Sequence, residues 1–184
     1  MQKQFLLLTS LALTSGIATE THAIKGAKSP SGALYSAMNG YSANPSPTER
    51  TDFDGTLKPM LKCSDKQTII DDALMNALET FDDIYMTLKL IGAGAQTTRR
   101  MVTRPRGWAE KQENLKKQKA KHYGFTISEY QTLLDNAYVL AKSQQRNQKQ
   151  LDALAEMLVS NKKADRKKGQ EQLAQLVQQV TDSQ

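Results

Sequence analysis

Between residues 64 and 91, apolar side chains recur at Ile70, Leu74, Ala77, Phe81, Ile84, Leu88 and Ile91. The steps alternate between four and three residues, which places all of these on one stripe of a helix and predicts a heptad seam facing another helix. Ser64 or Asp65 supplies an N-terminal cap, and Gly92 and Gly94 supply a stop. A second seam reads Tyr130, Leu134, Ala137 and Ala141, then Leu151, Ala155 and Leu158. It opens with Thr126-Ile127-Ser128-Glu129, the pattern in which a hydroxyl and a carboxylate reciprocally cap backbone N–H groups. Residues 142–150 contain no apolar side chain, yet the heptad phase passes through them with Gln144 and Gln148 on the seam. One long helix with a polar middle is therefore expected over about 127–160. Leu173, Leu176, Val177 and Val180 predict a terminal helix over about 167–181, after a basic break at 161–168. A polar helix is expected over about 107–121, between Pro105-Arg106-Gly107 and Gly124.

No segment alternates with the period of a strand. The predicted fold is all-α: an elongated antiparallel helical bundle or hairpin of three to four helices (65–91, 107–121, 127–160, 167–181), with the two long seams packed against each other. Residues 24–63 carry Gly26, Gly32, Gly40 and Gly55 with Pro30, Pro45, Pro47 and Pro59 and hold no helical period. They read as an irregular arm preceding a helical domain at 64–184.

The apolar pattern at residues 1–23 is of another kind. Lys3 is followed by a mostly apolar run over 5–18 and by Thr21-His22-Ala23, with small residues three positions and one position before a cleavage point. This predicts a cleaved export signal. The run is too short to span a bilayer comfortably, so no stable membrane insertion is expected after cleavage. Gly16-Ile17-Ala18 offers a second cleavage point. The mature chain is expected near Ile24 and outside the cytoplasm, in a periplasm or at the cell surface.

The chain of 184 residues has 25 Lys and Arg against 19 Asp and Glu, a net charge of +6. The signal holds one Lys and one Glu, so its removal leaves that charge unchanged. Four Phe and one Trp argue for an extended helical protein rather than a large compact core. Cys63 is the only cysteine, which excludes an intramolecular disulfide and leaves an unpaired buried thiol or, as the alternative, an intermolecular bridge.

Charge is unevenly distributed. Over residues 95–123, nine bases face only Glu110 and Glu113. Arg99, Arg100, Arg104, Arg106, Trp108, Lys116 and Lys117 are the candidate partner-binding residues, because clustered cations suit phosphate, anionic lipid or an acidic protein, and the indole could stack on a base or sit at a membrane interface. Export argues against nucleic acid as the partner. The absence of an apolar face over 109–121, where Leu115 stands nearly alone, argues against a membrane. The alternative is a solvated polar helix, or pairing with residues 48–88, which carry nine acids and four bases.

Asp52-Phe53-Asp54-Gly55-Thr56 resembles the first motif of haloacid-dehalogenase-type phosphatases. The resemblance implies a magnesium-dependent phosphatase using Asp52 and Asp54. That chemistry needs an apolar strand delivering the first Asp, and the residues before it, Ser46-Pro47-Thr48-Glu49-Arg50, cannot form one. A turn rich in Asp and Gly is the expectation here. The same pair lacks the further ligands of a calcium loop. Gly92-Ala93-Gly94 follows a helix and is not a nucleotide-binding turn. After signal removal His122 is the only histidine, so no zinc site with Cys63 is expected. No catalytic, cofactor-binding or metal-ligating set is predicted. Tyr123, Tyr130 and Tyr138 are expected to pack along the seam, and Met60, Met75, Met86 and Met101 to fill apolar gaps.

In layout the chain resembles the minor pilin, or pilus-tip, subunits of bacterial type IV secretion and conjugation machines. The shared features are an export signal, an irregular N-terminal part, and long antiparallel helices with Gln- and Ala-rich amphipathic ends, as at 144–158 and 170–180. The resemblance implies a non-enzymatic assembly or adhesion subunit whose partners are envelope proteins. It carries no functional residue over. The chain is also similar to periplasmic holdase chaperones of the Skp type in being small, exported, basic and helical, which implies unfolded envelope proteins as clients.

Overall fold

The computed structural model describes residues 29–97, 108–143 and 147–183. Among these the chain is all-α, as its periodicity predicts, with no strand. The helices are α1 (Pro30–Asn39), α2 (Pro47–Met60), α3 (Lys66–Asn76), α4 (Ile84–Gly92), α5 (Trp108–Tyr123), α6 (Ile127–Lys142), α7 (Gln148–Leu158) and α8 (Lys163–Asp182). The expected signal at 1–23 lies outside the described residues. No helix among them is long and apolar enough to cross a membrane.

The helices are shorter and more numerous than expected, for local reasons. The stretch read as an irregular arm carries α1 and α2. Its prolines start helices: each of Pro30 and Pro47 sits in a first turn, behind the serine that caps it. Ser29 Oγ accepts from Gly32 N at 3.1 Å. Ser46 and Glu49 form a capping box, Ser46 Oγ accepting from Glu49 N at 3.2 Å and Glu49 Oε2 from Ser46 N at 2.7 Å. Leu34, Met38, Phe53, Leu57 and Met60 are buried, so both helices belong to the core rather than preceding it.

The Ser46 N–H, with further help from Ser42 N–H, pulls the Glu49 carboxyl down to about 2. The unfolded chain therefore takes up this proton first as acid is added. The contribution of Glu49 is complete above its ordinary value of 4.5 and is lost as pH falls towards 2. Glu49→Ala is expected to cost about 1 kcal/mol at pH 7 and to flatten this part of the acid-unfolding profile, both measurable by urea denaturation across pH.

The helix expected over 65–91 is interrupted. A π-turn at Ala77–Phe81 inserts an extra residue, and Asp82 then adopts the left-handed conformation (φ 44°). Asp83 caps α4, its Oδ1 accepting from Met86 N at 3.0 Å. Asp tolerates the left-handed region better than most residues and is a strong N-cap, so the Asp pair ends one helix and starts the next. The helix expected over 127–160 is also two: α6 ends at Lys142, and Asn147 caps α7 through its Oδ1. Gln148 is exposed rather than on a seam; Gln144 lies outside the described residues. The basic break at 161–168 falls mostly within α8.

The centre of the molecule is α4, all of whose residues are buried. Its principal neighbour is α7, with α3 and α6 also packed on it. One apolar cluster draws on all eight helices, a larger shared core than the composition suggested. Of the two predicted seams, Ile70, Leu74, Ala77, Ile84, Leu88, Ile91, Tyr130, Leu134, Ala137, Ala141, Leu151, Ala155 and Leu158 are buried. Phe81 is the exception: the π-turn rotates it to a half-buried position at the edge of the core. Cys63 is half-buried and free.

Candidate functional site

Two polar clusters join the helices, one fully buried and one at the edge of the core, where Lys89 is buried but its carboxylate partners are partly exposed. In the first, Lys119 of α5 and Asp83 meet at 2.6 Å, with side chains 1% and 0% exposed. Tyr123 OH donates to the same Asp83 oxygen at 3.1 Å, and Lys119 Nζ donates to Ser42 O at 3.2 Å. The ammonium also lies 4.9 Å from the centre of the Tyr41 ring. Tyr130 OH donates to Asp82 O at 2.8 Å and accepts from Ile84 N at 3.3 Å, so it satisfies backbone groups freed by the helix break. Burial, then the nearby Asp83 charge, push the Tyr123 and Tyr130 phenols well above their ordinary value.

The second cluster links α2, α4 and α7. Lys89 Nζ stands 3.3 Å from Asp54 Oδ2, 3.1 Å from Glu156 Oε1 and 3.8 Å from Asp152 Oδ1. Tyr85 OH lies 2.9 Å from the same Asp54 and Glu156 oxygens. Burial alone would lower the Lys89 ammonium, but the Glu156, Asp54 and Asp152 carboxylates outweigh it and the net shift is upward. Burial, followed by Asp54, raises the Tyr85 phenol. Burial also raises the Asp152 carboxyl against the pull of Lys89. A lysine nucleophile or a tyrosine base working at neutral pH needs the opposite shift. The cluster is built to hold three helices together. Lys89→Met is expected to cost about 2 kcal/mol, the scale of hydrogen bonds to charged groups, and high salt should narrow the difference from wild type in denaturant titrations.

The segment that resembles a phosphatase motif is not a turn but the middle of α2. Asp52 is exposed there, while Asp54 faces Lys89. Among the described residues no group of three or more His, Cys, Asp or Glu is arranged to hold a metal ion.

Arg99, Arg100, Arg104 and Arg106 lie outside the described residues, as does the side chain of Trp108. Of the candidates on α5, Lys116 reaches Glu113 at 3.6 Å and Lys117 is exposed. Lys119, counted within the basic run, is consumed in the core. The intramolecular pairing expected between the basic run and residues 48–88 is thus realised at Lys119 and Asp83. Tyr123 and Tyr130 pack as expected, but their hydroxyl roles were hidden, because hydroxyl partners far along the chain leave no periodic signal.

A different surface stands out in three dimensions. Two adjoining grooves run along α7 and α8, of about 270 and 320 Å³. They share Gln150, Leu176 and Gln179. The first is floored by Ile91, Leu151 and Val180, the second by Ala153 and Met157. Among the described residues none that lines either groove is charged, although 24% of the chain is. Charge depletion and a methionine are traits that these grooves share with interface cores. Sequence reading placed these glutamines on amphipathic helix ends but gave no sign that two helices would align them.

Comparison with protein-family models, with curated proteins and with solved structures finds no match to this chain.

Proposed function

We propose that this protein is an exported, non-enzymatic subunit that works by protein–protein contact, as a minor pilin, assembly or adhesion component of a type IV secretion or conjugal transfer apparatus. The observation that carries the contact reading is the charge-free double groove on α7 and α8. The Lys119–Asp83 and Lys89 clusters support it too, since their charges are paired between helices. The apparatus itself is suggested by the sequence layout: the export signal and the Gln- and Ala-rich helix ends. In-cell cross-linking of the tagged full chain, with mass spectrometry of the captured proteins, tests this. Recovery of pilus and secretion-channel components is expected.

A chaperone of the Skp type is the second reading. It is favoured by exposed Lys162, Lys163, Lys167 and Lys168 around the start of α8, a basic patch suited to acidic clients. Capture of many unrelated unfolded envelope proteins would select it. The phosphatase alternative has the least support, because α2 offers no strand end to present Asp52. Magnesium-dependent phosphatase activity abolished by Asp52→Asn would revive it.

A further inference from the structure

We infer that the cavity between the start of α2, the end of α5 and the α7–α8 connection binds a small oxyanion, a phosphate or a carboxylate group. The cavity measures about 400 Å³ and is lined by Arg50, His122, Arg166, Ser160 and Asn161, with no Asp or Glu among the described residues of its wall. These side chains are held in place by backbone carbonyls. Arg50 Nη1 donates to Pro45 O at 3.0 Å, and His122 Nε2 lies 3.1 Å from the same oxygen. Arg166 Nη1 donates to Ser160 O at 2.8 Å. Among the described residues neither arginine pairs with a carboxylate. Each guanidinium has five N–H donors, so most remain available.

Local backbone geometry supports the arrangement. Gly124 has φ +74°, and a Cβ there would come within 2.8 Å of Arg166 Nη2. The guanidinium therefore rests against a bare Cα that no other residue provides. Residues 160 and 161 lead into α8, and the Asp165 carboxylate in its first turn is engaged by Ser160 Oγ at 2.8 Å, so the positive character of the wall comes from the two arginines. Half-buried arginines that pair with no carboxylate among the described residues, in a concave wall, attract an anion, and their planar fork matches two oxygens of a phosphate or carboxylate. A cation would be repelled from the same wall.

The test is titration of the full chain with sodium phosphate and, separately, sodium acetate, against sodium chloride at matched ionic strength and pH 7. The thermal midpoint and the amide NMR shifts of residues 122–124 and 160–166 are followed. Phosphate is expected to raise the midpoint saturably, as a ligand of the folded state does, while chloride does not. Arg166→Gln should weaken binding about tenfold or more, and Arg166→Lys, which keeps the charge but loses the fork, should fall between it and wild type. Saturation by acetate as well as phosphate would identify a carboxylate-type site, open to a partner's acidic side chain; saturation by phosphate alone would identify a phosphate site. The inference is overturned if neither anion exceeds chloride, or if Arg50→Gln and Arg166→Gln both bind like wild type. Should one variant fail to fold, the other decides.

Discussion

Lys119→Met is expected to cost about 3–5 kcal/mol of folding stability, the scale for breaking a buried ion pair by removing one partner. The methionine fills similar space, so the loss comes from what it leaves behind. Asp83 is fully buried, and without the ammonium at 2.6 Å it keeps only the Tyr123 hydroxyl and the Met86 N–H. The carboxylate cannot move to water, because it also caps α4. Neutralising it should therefore recover part of the loss: Lys119→Met combined with Asp83→Asn is expected to be more stable than Lys119→Met alone, since Asn retains a capping oxygen. Urea denaturation of the single and double variants measures both effects. A loss below about 1 kcal/mol for Lys119→Met would place this pair in water rather than in the core.

Leu88→Ala is expected to cost about 2–5 kcal/mol. Leu88 is fully buried at the middle of α4, the helix enclosed on every side, so the cavity opens where neighbouring helices are least free to collapse. The exposed Ile127 at the start of α6 provides the contrast, and Ile127→Ala should change stability by no more than about 0.5 kcal/mol. Phe81→Ala belongs between these, because its ring is only half-buried. Equal losses at Leu88 and Ile127 in the same denaturation experiment would contradict the central position of α4.

The helical class and nearly all seam positions could be read from the sequence because burial of one face imposes a period that composition does not disguise. The breaks were harder. Asp83 and Asn147 are good caps, but each sits where a heptad runs on without a phase change, so the periodic signal hid them. The capping box of Ser46 and Glu49 is present in the sequence, among glycines and prolines that leave no helical period to draw attention to it. The complete burial of α4 had a signal of its own, since Ile84, Tyr85, Met86, Leu88, Leu90 and Ile91 leave no polar face. The polar clusters, the charge-free grooves and the arginine cavity depend on residues tens of positions apart. No local pattern brings Asp54, Lys89 and Glu156 together, or Arg50 and Arg166.

The proposal that this protein works through the α7–α8 face is tested most directly by placing charge on it. Gln175 and Gln179 are exposed there, so Gln175→Lys with Gln179→Lys should leave the fold and its stability nearly unchanged. The measurement is quantitative cross-linking capture of envelope proteins by this variant and by wild type in the same cells. Loss of the wild-type partners at unchanged protein level and thermal midpoint is the predicted result. Capture of the same partners in the same amounts would contradict the account and move the contact surface elsewhere on the molecule.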